Sequence, residues 1–297
     1  MGMICEIAPA KVNLTLEIIG KRNDGYHDIE SVMQTIDICD VLTFWENDWI
    51  QVVPEYSGLP EKDMLFGEDN NNYLFDNLVY KAALLLKQET GYPGGALIQL
   101  RKNIPSAAGL GGGSSDAAAT LRGLNQLWKL GLTLEELLGL GAKIGSDIPY
   151  FLYGGTCMVK GRGEKVERVE AVDTKWMAVI LLPLSMPNKT AKLYSYINSG
   201  HYTGGEYSNK LLGKITGHSG NNFQADLFNV FELVYEREFE QFGYWMDKLK
   251  ILGITPLHLC RKRPCRMYVS SYREKVRDKI KLLKGSELSN YVARTIP

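Results

Sequence analysis

Apolar and polar residues alternate near the start of the chain. Val12, Leu14, Leu16 and Ile18 interleave with Lys11, Asn13, Thr15 and Glu17, and that period of two predicts a half-buried strand. Its polar face carries Lys11 and Asn13 side by side. Asn23-Asp24-Gly25 signals a turn. Further strands are expected around Ile29–Thr35, Val41–Trp45 and Ala96–Leu100. Leu78, Ala82 and Leu85 recur at helical spacing within Asn72–Lys87. Ala118, Leu121, Leu124 and Trp128 share one face of another predicted helix. Thr133 and Glu136 form a capping-box pattern for a helix reaching about Ala142. Ser146-Asp147-Ile148-Pro149 marks another helix start, with proline tolerated in the first turn. A strand at Met177–Leu182 opens a second half. Helices are expected at Ala191–Asn198 and Gln224–Leu252, the latter interrupted near Gly243. A soft domain boundary is placed near residue 165, giving segments 1–165 and 166–297.

The 297 residues are enough for one large or two ordinary domains. Lys+Arg and Asp+Glu are both 34, so the formal charge is zero. That balance argues against a nucleic-acid or membrane-surface binder, which usually carries a basic excess. No apolar stretch approaches the ~18 residues of a membrane span. Cys5, Cys39, Cys157, Cys260 and Cys265 are scattered, odd in number and free of CxxC. This reads as a reduced, cytoplasmic protein rather than a disulfide scaffold.

The most informative segment is Pro105-Ser106-Ala107-Ala108-Gly109-Leu110-Gly111-Gly112-Gly113-Ser114-Ser115, followed by Asp116 and an alanine run. Four glycines within five residues let backbone approach a ligand closely. The helix that follows starts with unpaired amides at the positive end of its dipole. Loop and helix start together suit a phosphate. Neither the lysine-containing phosphate loop nor the dinucleotide fingerprint fits these residues.

Pro105–Ala119 resembles the second motif of the GHMP kinases, small-molecule kinases that include galactokinase, homoserine kinase and mevalonate kinase. The form Gly-Leu-Gly-Gly-Gly-Ser-Ser is most similar to the branch that acts on a cytidine diphosphate alcohol. The resemblance implies that Pro105, Ala107, Gly109, Leu110, Gly111, Gly112, Gly113, Ser114 and Ser115 surround ATP. It also implies that Ser114 or Ser115 lies near Mg²⁺, and Ser114 is taken as the metal residue.

Ala8-Pro9-Ala10-Lys11-Val12-Asn13-Leu14 resembles the first family motif. Alone, Lys11 reads as a solvated strand lysine. Gly145-Ser146-Asp147-Ile148-Pro149 resembles the segment carrying the catalytic aspartate, although an aspartate there also suits a plain helix cap. The resemblance implies that Asp147 accepts the proton of the substrate hydroxyl and that Lys11 orients that carboxylate. Asn13 is expected at the substrate.

Arg22-Asn23-Asp24-Gly25-Tyr26-His27 resembles a stretch of the cytidine branch whose tyrosine stacks on cytosine and whose histidine holds the base edge. Stacking of this kind is worth roughly 1–3 kcal/mol per base. Read without the family, the pair only follows an ordinary Asp-Gly turn. Thr190-Ala191-Lys192-Leu193-Tyr194 is similar to the segment bearing the opposite aromatic wall, which points to Tyr194. Asp76-Asn77-Leu78-Val79 resembles the family's helix start at adenine, which points to Asn77.

These resemblances imply a two-domain α+β fold, with a ribosomal-protein-S5-like first domain and a ferredoxin-like second. They imply ATP and Mg²⁺ as cofactors and phosphorylation of an alcohol in isoprenoid precursor synthesis. The partner is a small molecule, not nucleic acid or membrane, and a homodimer is left open. One departure stands out. The family's third glycine-rich motif falls where this chain reads Cys260-Arg261-Lys262-Arg263-Pro264-Cys265-Arg266. Arginine cannot cheaply adopt glycine's positive-φ conformations. Two readings follow: the basic residues meet phosphate, or the chain is an impaired, ligand-binding member of the family. Another GHMP kinase activity is a further alternative, opposed by Tyr26-His27.

Overall fold

The computed structural model describes residues 2–55, 77–106, 108–184, 189–217, 224–261 and 265–297, with the side chains of 189–191 left aside. The elements run β1 (Met3–Asn13), β2 (Thr15–Lys21), β3 (His27–Asn47), β4 (Gln51–Glu55), α1 (Leu78–Thr90) and β5 (Gly95–Arg101). Next come α2 (Gly112–Leu127), α3 (Leu134–Ile144), α4 (Ile148–Tyr153), β6 (Thr156–Gly161), β7 (Lys165–Arg168) and β8 (Trp176–Leu181). The last are α5 (Lys189–Ser195), α6 (Glu206–Thr216), β9 (Phe228–Asn229), α7 (Phe231–Glu238), α8 (Glu240–Ile251), β10 (His258–Leu259), β11 (Cys265–Ser270), α9 (Arg273–Lys281) and β12 (Ser289–Arg294). Mixed helices and antiparallel sheets make this an α+β protein. No helix among the described residues is long and apolar enough to cross a membrane.

The chain packs as two compact units that interleave in sequence. The first unit holds residues 1–11 and 38–154. In it the second half of β3 pairs antiparallel with β5, from Val41 opposite Arg101 to Asn47 opposite Gly95. β4 adds to β5 in parallel. Helices α1 to α4 pack on one another, with Ala82, Ala83, Leu86, Ala118, Leu121, Leu124 and Ile148 fully buried. Small residues permit close helix approach. A Cβ on Gly123 would fall 2.5 Å from the Phe44 ring, so a side chain there would collide with β3.

The second unit holds residues 12–37 and 155–297. Here β2 and the first half of β3 form a hairpin, and β3 continues onto β6, from Ile29 opposite Gly161 to Gln34 opposite Thr156. A separate four-stranded antiparallel sheet has the order β10-β11-β8-β12. Its central strand β8 is an almost unbroken apolar run, as a strand covered on both faces requires. Ile180, Leu193, Phe231, Val234, Tyr235, Phe242, Leu249 and Leu259 form the core of this unit.

Four expectations need correction. The predicted half-buried strand at 12–18 is two strands meeting at Leu14, and both faces are buried. The polar face tolerates this because its groups are bonded. Asn13 Nδ2 donates to Ser31 Oγ at 2.5 Å, Thr15 Oγ1 lies 2.8 Å from Ser208 Oγ, and Glu17 accepts the Ser208 amide at 2.7 Å. Lys11 is likewise completely buried rather than solvated. The strands expected at 29–35 and 41–45 are parts of one continuous β3, which exchanges one pairing partner for another along its length. The 224–252 segment breaks at Phe239, not Gly243. Phe239 is extended at φ −133°, which sets its ring against Tyr235 and Tyr196. Part of the predicted Asn72–Lys87 helix falls at 72–76, outside the described residues; the described part runs on to Thr90.

His258 supplies a pH handle on this second unit. Burial, and next the nearby Arg266 cation, lower its pKa from 6.5 to about 4. Between those values the unfolded chain binds a proton that the folded chain refuses, so stability is complete above 6.5 and falls as the pH drops toward 4. The interval corresponds to about 3 kcal/mol. Denaturant unfolding from pH 7 to 4 should show that decline, and His258→Gln should flatten it.

Candidate active site

In the first unit three glycines of the loop each meet a different motif. Gly111, at φ 80°, is the N-cap of α2, and no side chain caps that helix. A Cβ on Gly111 would lie 2.6 Å from Phe151 Cζ and 3.2 Å from Lys11 Cγ. Phe151 sits on α4, the helix that Asp147 starts. Gly112 packs on Ile104 with Lys102 Nζ 3.4 Å from its Cβ position. Gly113 faces Leu78, beside Asn77, at 3.6 Å. The loop therefore lies against the Lys11 and Asp147 segments at Gly111, where a side chain would collide, and touches the Asn77 segment at Gly113 at ordinary contact distance. Gly109, at φ 82°, makes the preceding turn.

Backbone bonding fixes the same arrangement. The Lys11 amide donates to the Leu110 carbonyl at 2.9 Å. The first intrahelical bond of α2 runs from Ser115 N to Gly111 O, so the amides of Gly112, Gly113 and Ser114 precede the ladder. Ser115 is buried and its hydroxyl donates to Pro9 O at 2.7 Å. Ser114 is half-buried on the first turn. Of the two serines, Ser115 is committed to holding the loop on β1. Pro105 and Leu110 are buried, and Ala107 lies outside the described residues.

Asp147 is half-buried and starts α4, but its side chain makes no capping bond to that helix. The plain helix-cap role is thus not what its carboxylate performs. Asn77 does cap α1: its Oδ1 accepts the Val79 amide at 2.9 Å. That bond leaves the NH₂ end as the part of Asn77 suited to another acceptor.

Sequence reasoning missed a buried charge cluster beneath the loop. Lys102 Nζ bonds Asp40 Oδ2 and, at 2.7 Å, Asp116 Oδ2. Asp40 Oδ1 also accepts the amides of Asn103 and Ile104, at 2.6 and 2.8 Å. One cation thus ties β3, the start of the loop and the first turns of α2. Burial pushes the Asp116 carboxyl up to about 8 despite the Lys102 ammonium, and the Asp40 charge adds to the rise. The available signal was the Lys102 position just before the loop and Asp116 just after it.

The second unit holds the remaining predicted residues. Asn13 is buried; its amide donates to Cys260 O at 2.8 Å and its side chain to Ser31. The Asn23-Asp24-Gly25 turn is present, with Gly25 at φ 84° and Asp24 Oδ1 accepting the Tyr26 amide. Tyr26 is 58% exposed and lies under the Arg162 guanidinium, 5.1 Å from its ring centre. His27 stacks on Tyr194 at 5.1 Å with 16° between the planes. Tyr202 meets the His27 ring edgewise at 6.5 Å. His27 and Tyr194 are therefore brought together directly, while Tyr26 presents an open ring face. Arg162 and Tyr202 carried no sequence signal.

Within the basic stretch near the C-terminus, Arg266 is not a free cation. Arg266 is buried, pairs with Glu232 at 3.0 Å and stacks over Phe242 at 4.3 Å. Lys262, Arg263 and Pro264 lie outside the described residues. Among the described residues, no three His, Cys, Asp or Glu side chains cluster as a metal site.

The chain matches known proteins at three levels. The family pattern described as GHMP kinases N terminal domain matches residues 77–155. The 4-diphosphocytidyl-2-C-methyl-D-erythritol kinase of Bacillus pumilus is 37% identical over 298 residues, covering 99% of this chain and 97% of that protein. The Dehalococcoides mccartyi kinase of the same name is 38% identical over 234 residues, covering 78% of this chain and 77% of the other. A crystal structure of 4-(cytidine 5'-diphospho)-2C-methyl-D-erythritol kinase superposes with a TM-score of 0.80 at 24% identity, covering 99% of this chain and 100% of that one. The fold is that of a GHMP kinase. Within that class, the chain belongs to the family of 4-diphosphocytidyl-2-C-methyl-D-erythritol kinases.

The glycine contacts lead to a direct test. Gly111→Ala combines a positive φ with overlap on Phe151, and should cost about 2–5 kcal/mol of stability. Gly113→Ala meets only an ordinary contact with Leu78 and should leave the fold nearly unchanged. Thermal unfolding of the two variants compares them. A second test concerns the charge cluster: Lys102→Met leaves two buried carboxylates facing each other and should destabilise by about 3–5 kcal/mol. Adding Asp116→Asn to that variant should recover part of the loss in denaturant unfolding.

Proposed function

We propose that this chain transfers the terminal phosphoryl group of ATP to the 2-hydroxyl of 4-diphosphocytidyl-2-C-methyl-D-erythritol, in isoprenoid precursor biosynthesis. The observation that carries this reading is identity to kinases of that name along the whole chain, joined to the loop on which Lys11 and the Asp147 helix converge.

Phosphoryl transfer needs alignment and charge neutralisation more than covalent chemistry. The amides of Gly112, Gly113 and Ser114 are placed at the positive end of α2, where a phosphate oxygen replaces water as their acceptor. Asp147 is proposed as the base, because its side chain is not engaged as a helix cap and its helix touches the loop through Phe151. Lys11 is proposed to orient that carboxylate and steady charge on the acceptor oxygen. Mg²⁺ is proposed to enter with ATP; it keeps mostly phosphate and water ligands, and the Ser114 hydroxyl fits as its protein contact. Bound there, it would neutralise phosphate charge. Asn77 is proposed at adenine through its NH₂ end.

Tyr26, with its exposed ring, is the proposed stacking surface for cytosine, and His27 the group at the base edge. Tyr194, already stacked on His27, supports that ring and supplies an apolar wall. Asn13 is proposed near the substrate, held by Ser31 and Cys260. The proposal also includes functional segments 1–165 and 166–297, ATP-side and substrate-side, alongside the interleaved packing units. A cytoplasmic location is proposed from the reduced-cysteine composition, and a homodimer is left to measurement.

Purified chain with ATP and Mg²⁺ should release ADP only when the cytidine diphosphate alcohol is added. Equal turnover with homoserine or mevalonate would overturn the substrate assignment, and binding of both ligands without turnover would mark an impaired member. Asp147→Asn should bind ATP within a few-fold of the parent while kcat falls by about 10²–10⁴. Retained turnover would remove Asp147 as the base.

A further inference from the structure

The β10–β11 hairpin carries two thiols face to face. β10 and β11 are antiparallel, with His258 opposite Met267 and Leu259 opposite Arg266. One step further along that register, Cys260 stands opposite Cys265, and the Cys260 amide donates to the Cys265 carbonyl at 2.8 Å. Their sulfurs are 2.7 Å apart, and both residues are buried. Directly opposed, hydrogen-bonded residues of an antiparallel pair have Cα atoms about 5.5 Å apart, inside the range a disulfide spans without backbone movement.

We propose that Cys260 and Cys265 form a reversible intramolecular disulfide that staples the stem of this hairpin. Small-molecule disulfides are the oxidant class. One cysteine thiolate attacks the oxidant and expels one thiol, giving a mixed disulfide. The second cysteine then attacks the protein-side sulfur and expels the other thiol. The protein loses two hydrogens and two electrons, and the oxidant becomes two thiols.

The surroundings hold both sulfurs in register. Asn229 Nδ2 bonds the Leu259 carbonyl at 3.3 Å and the Arg261 carbonyl at 2.9 Å, and the Asn13 amide bonds the Cys260 carbonyl at 2.8 Å. On the other strand, Arg266 is locked to Glu232. These bonds fix the stem from both sides, so closing the sulfur bridge asks little of the backbone. Burial raises the Cys265 thiol well above its ordinary pKa. Exchange in the folded chain is therefore slow in both directions, and oxidant and reductant reach the pair when the hairpin opens locally. The Asn13 contact also joins the staple to a residue proposed at the substrate. In a reducing compartment such a pair is transient and oxidant-responsive rather than permanent.

Peptide mapping of the intact chain tests this. Reduced protein is equilibrated with glutathione and glutathione disulfide in varied ratio, acid-quenched, denatured, alkylated and digested with trypsin. Cleavage after Arg261 and Lys262 separates the two cysteines. A disulfide therefore appears as peptides 251–261 and 263–266 joined together, two hydrogens lighter than the free pair, and released by dithiothreitol. Exposed Cys5 should take up glutathione in the same samples, showing that the oxidant was active. Cys265→Ala should abolish the joined species. If both peptides remain separately alkylated at every ratio while Cys5 is modified, the proposal fails. It also fails if Cys260 or Cys265 is recovered mainly as a glutathione adduct.

Discussion

The absence of a side chain at Gly111, backed by a tight fit at Gly112, is the constraint on which the first unit rests. At Gly111, Gly112 and Gly113 the backbone lies against Lys11 and Phe151, against Ile104 and Lys102, and against Leu78. Any larger residue at Gly111 would separate β1 from α4, and with them the lysine and aspartate proposed for the chemistry. The same omission frees the first amides of α2 from competition by a capping side chain. Close packing and the uncapped helix start thus have one cause.

Buried charge reinforces this frame at a cost. Lys102 holds Asp40 and Asp116, and Arg266 holds Glu232; each pair sits where water cannot compensate a missing partner. Such ion pairs add little net stability against apolar replacements, but breaking one is expensive. Their value here is geometric. Asp40 also accepts two backbone amides at the start of the loop, so its charge sets chain direction as well as pairing. Arg266 serves the second unit similarly, fixing β11 against α7. This explains why a basic stretch that looks like a phosphate site in one dimension contributes at least one arginine to the interior.

The Cys260–Cys265 stretch, where the resemblance leads one to expect a third glycine motif, acquires a physical reading from its two ends. Glycines permit a tight turn by conformational freedom. This chain has bulky residues there instead, flanked by two thiols in direct register. Restraint by sulfur can take the place of permissiveness in backbone, and it adds a dependence on redox conditions that glycines lack.

Much of the local structure was legible in one dimension because glycine loops, caps and turns are local. Gly109 to Ser115, the Thr133–Glu136 capping box and the Asp24-Gly25 turn depend on neighbouring residues alone, and all three have the expected geometry. The α+β class and the family were also readable, since local motifs in a fixed order carry them. What periodicity could not show was long-range. The alternation at 11–18 read as half-exposed because the partners that satisfy Asn13, Thr15 and Glu17, namely Ser31 and Ser208, come from distant segments.

The sequence by itself determined the loop, its helix and the family, because adjacent residues dictate backbone freedom and local motifs carry the resemblance. Only the tertiary structure decided which serine remains available and that His27 rather than Tyr26 stacks on Tyr194. It alone also revealed that Lys102 anchors the loop and that two cysteines meet. Each of these depends on contacts between residues far apart in the chain, where burial and register, not local propensity, select the partner.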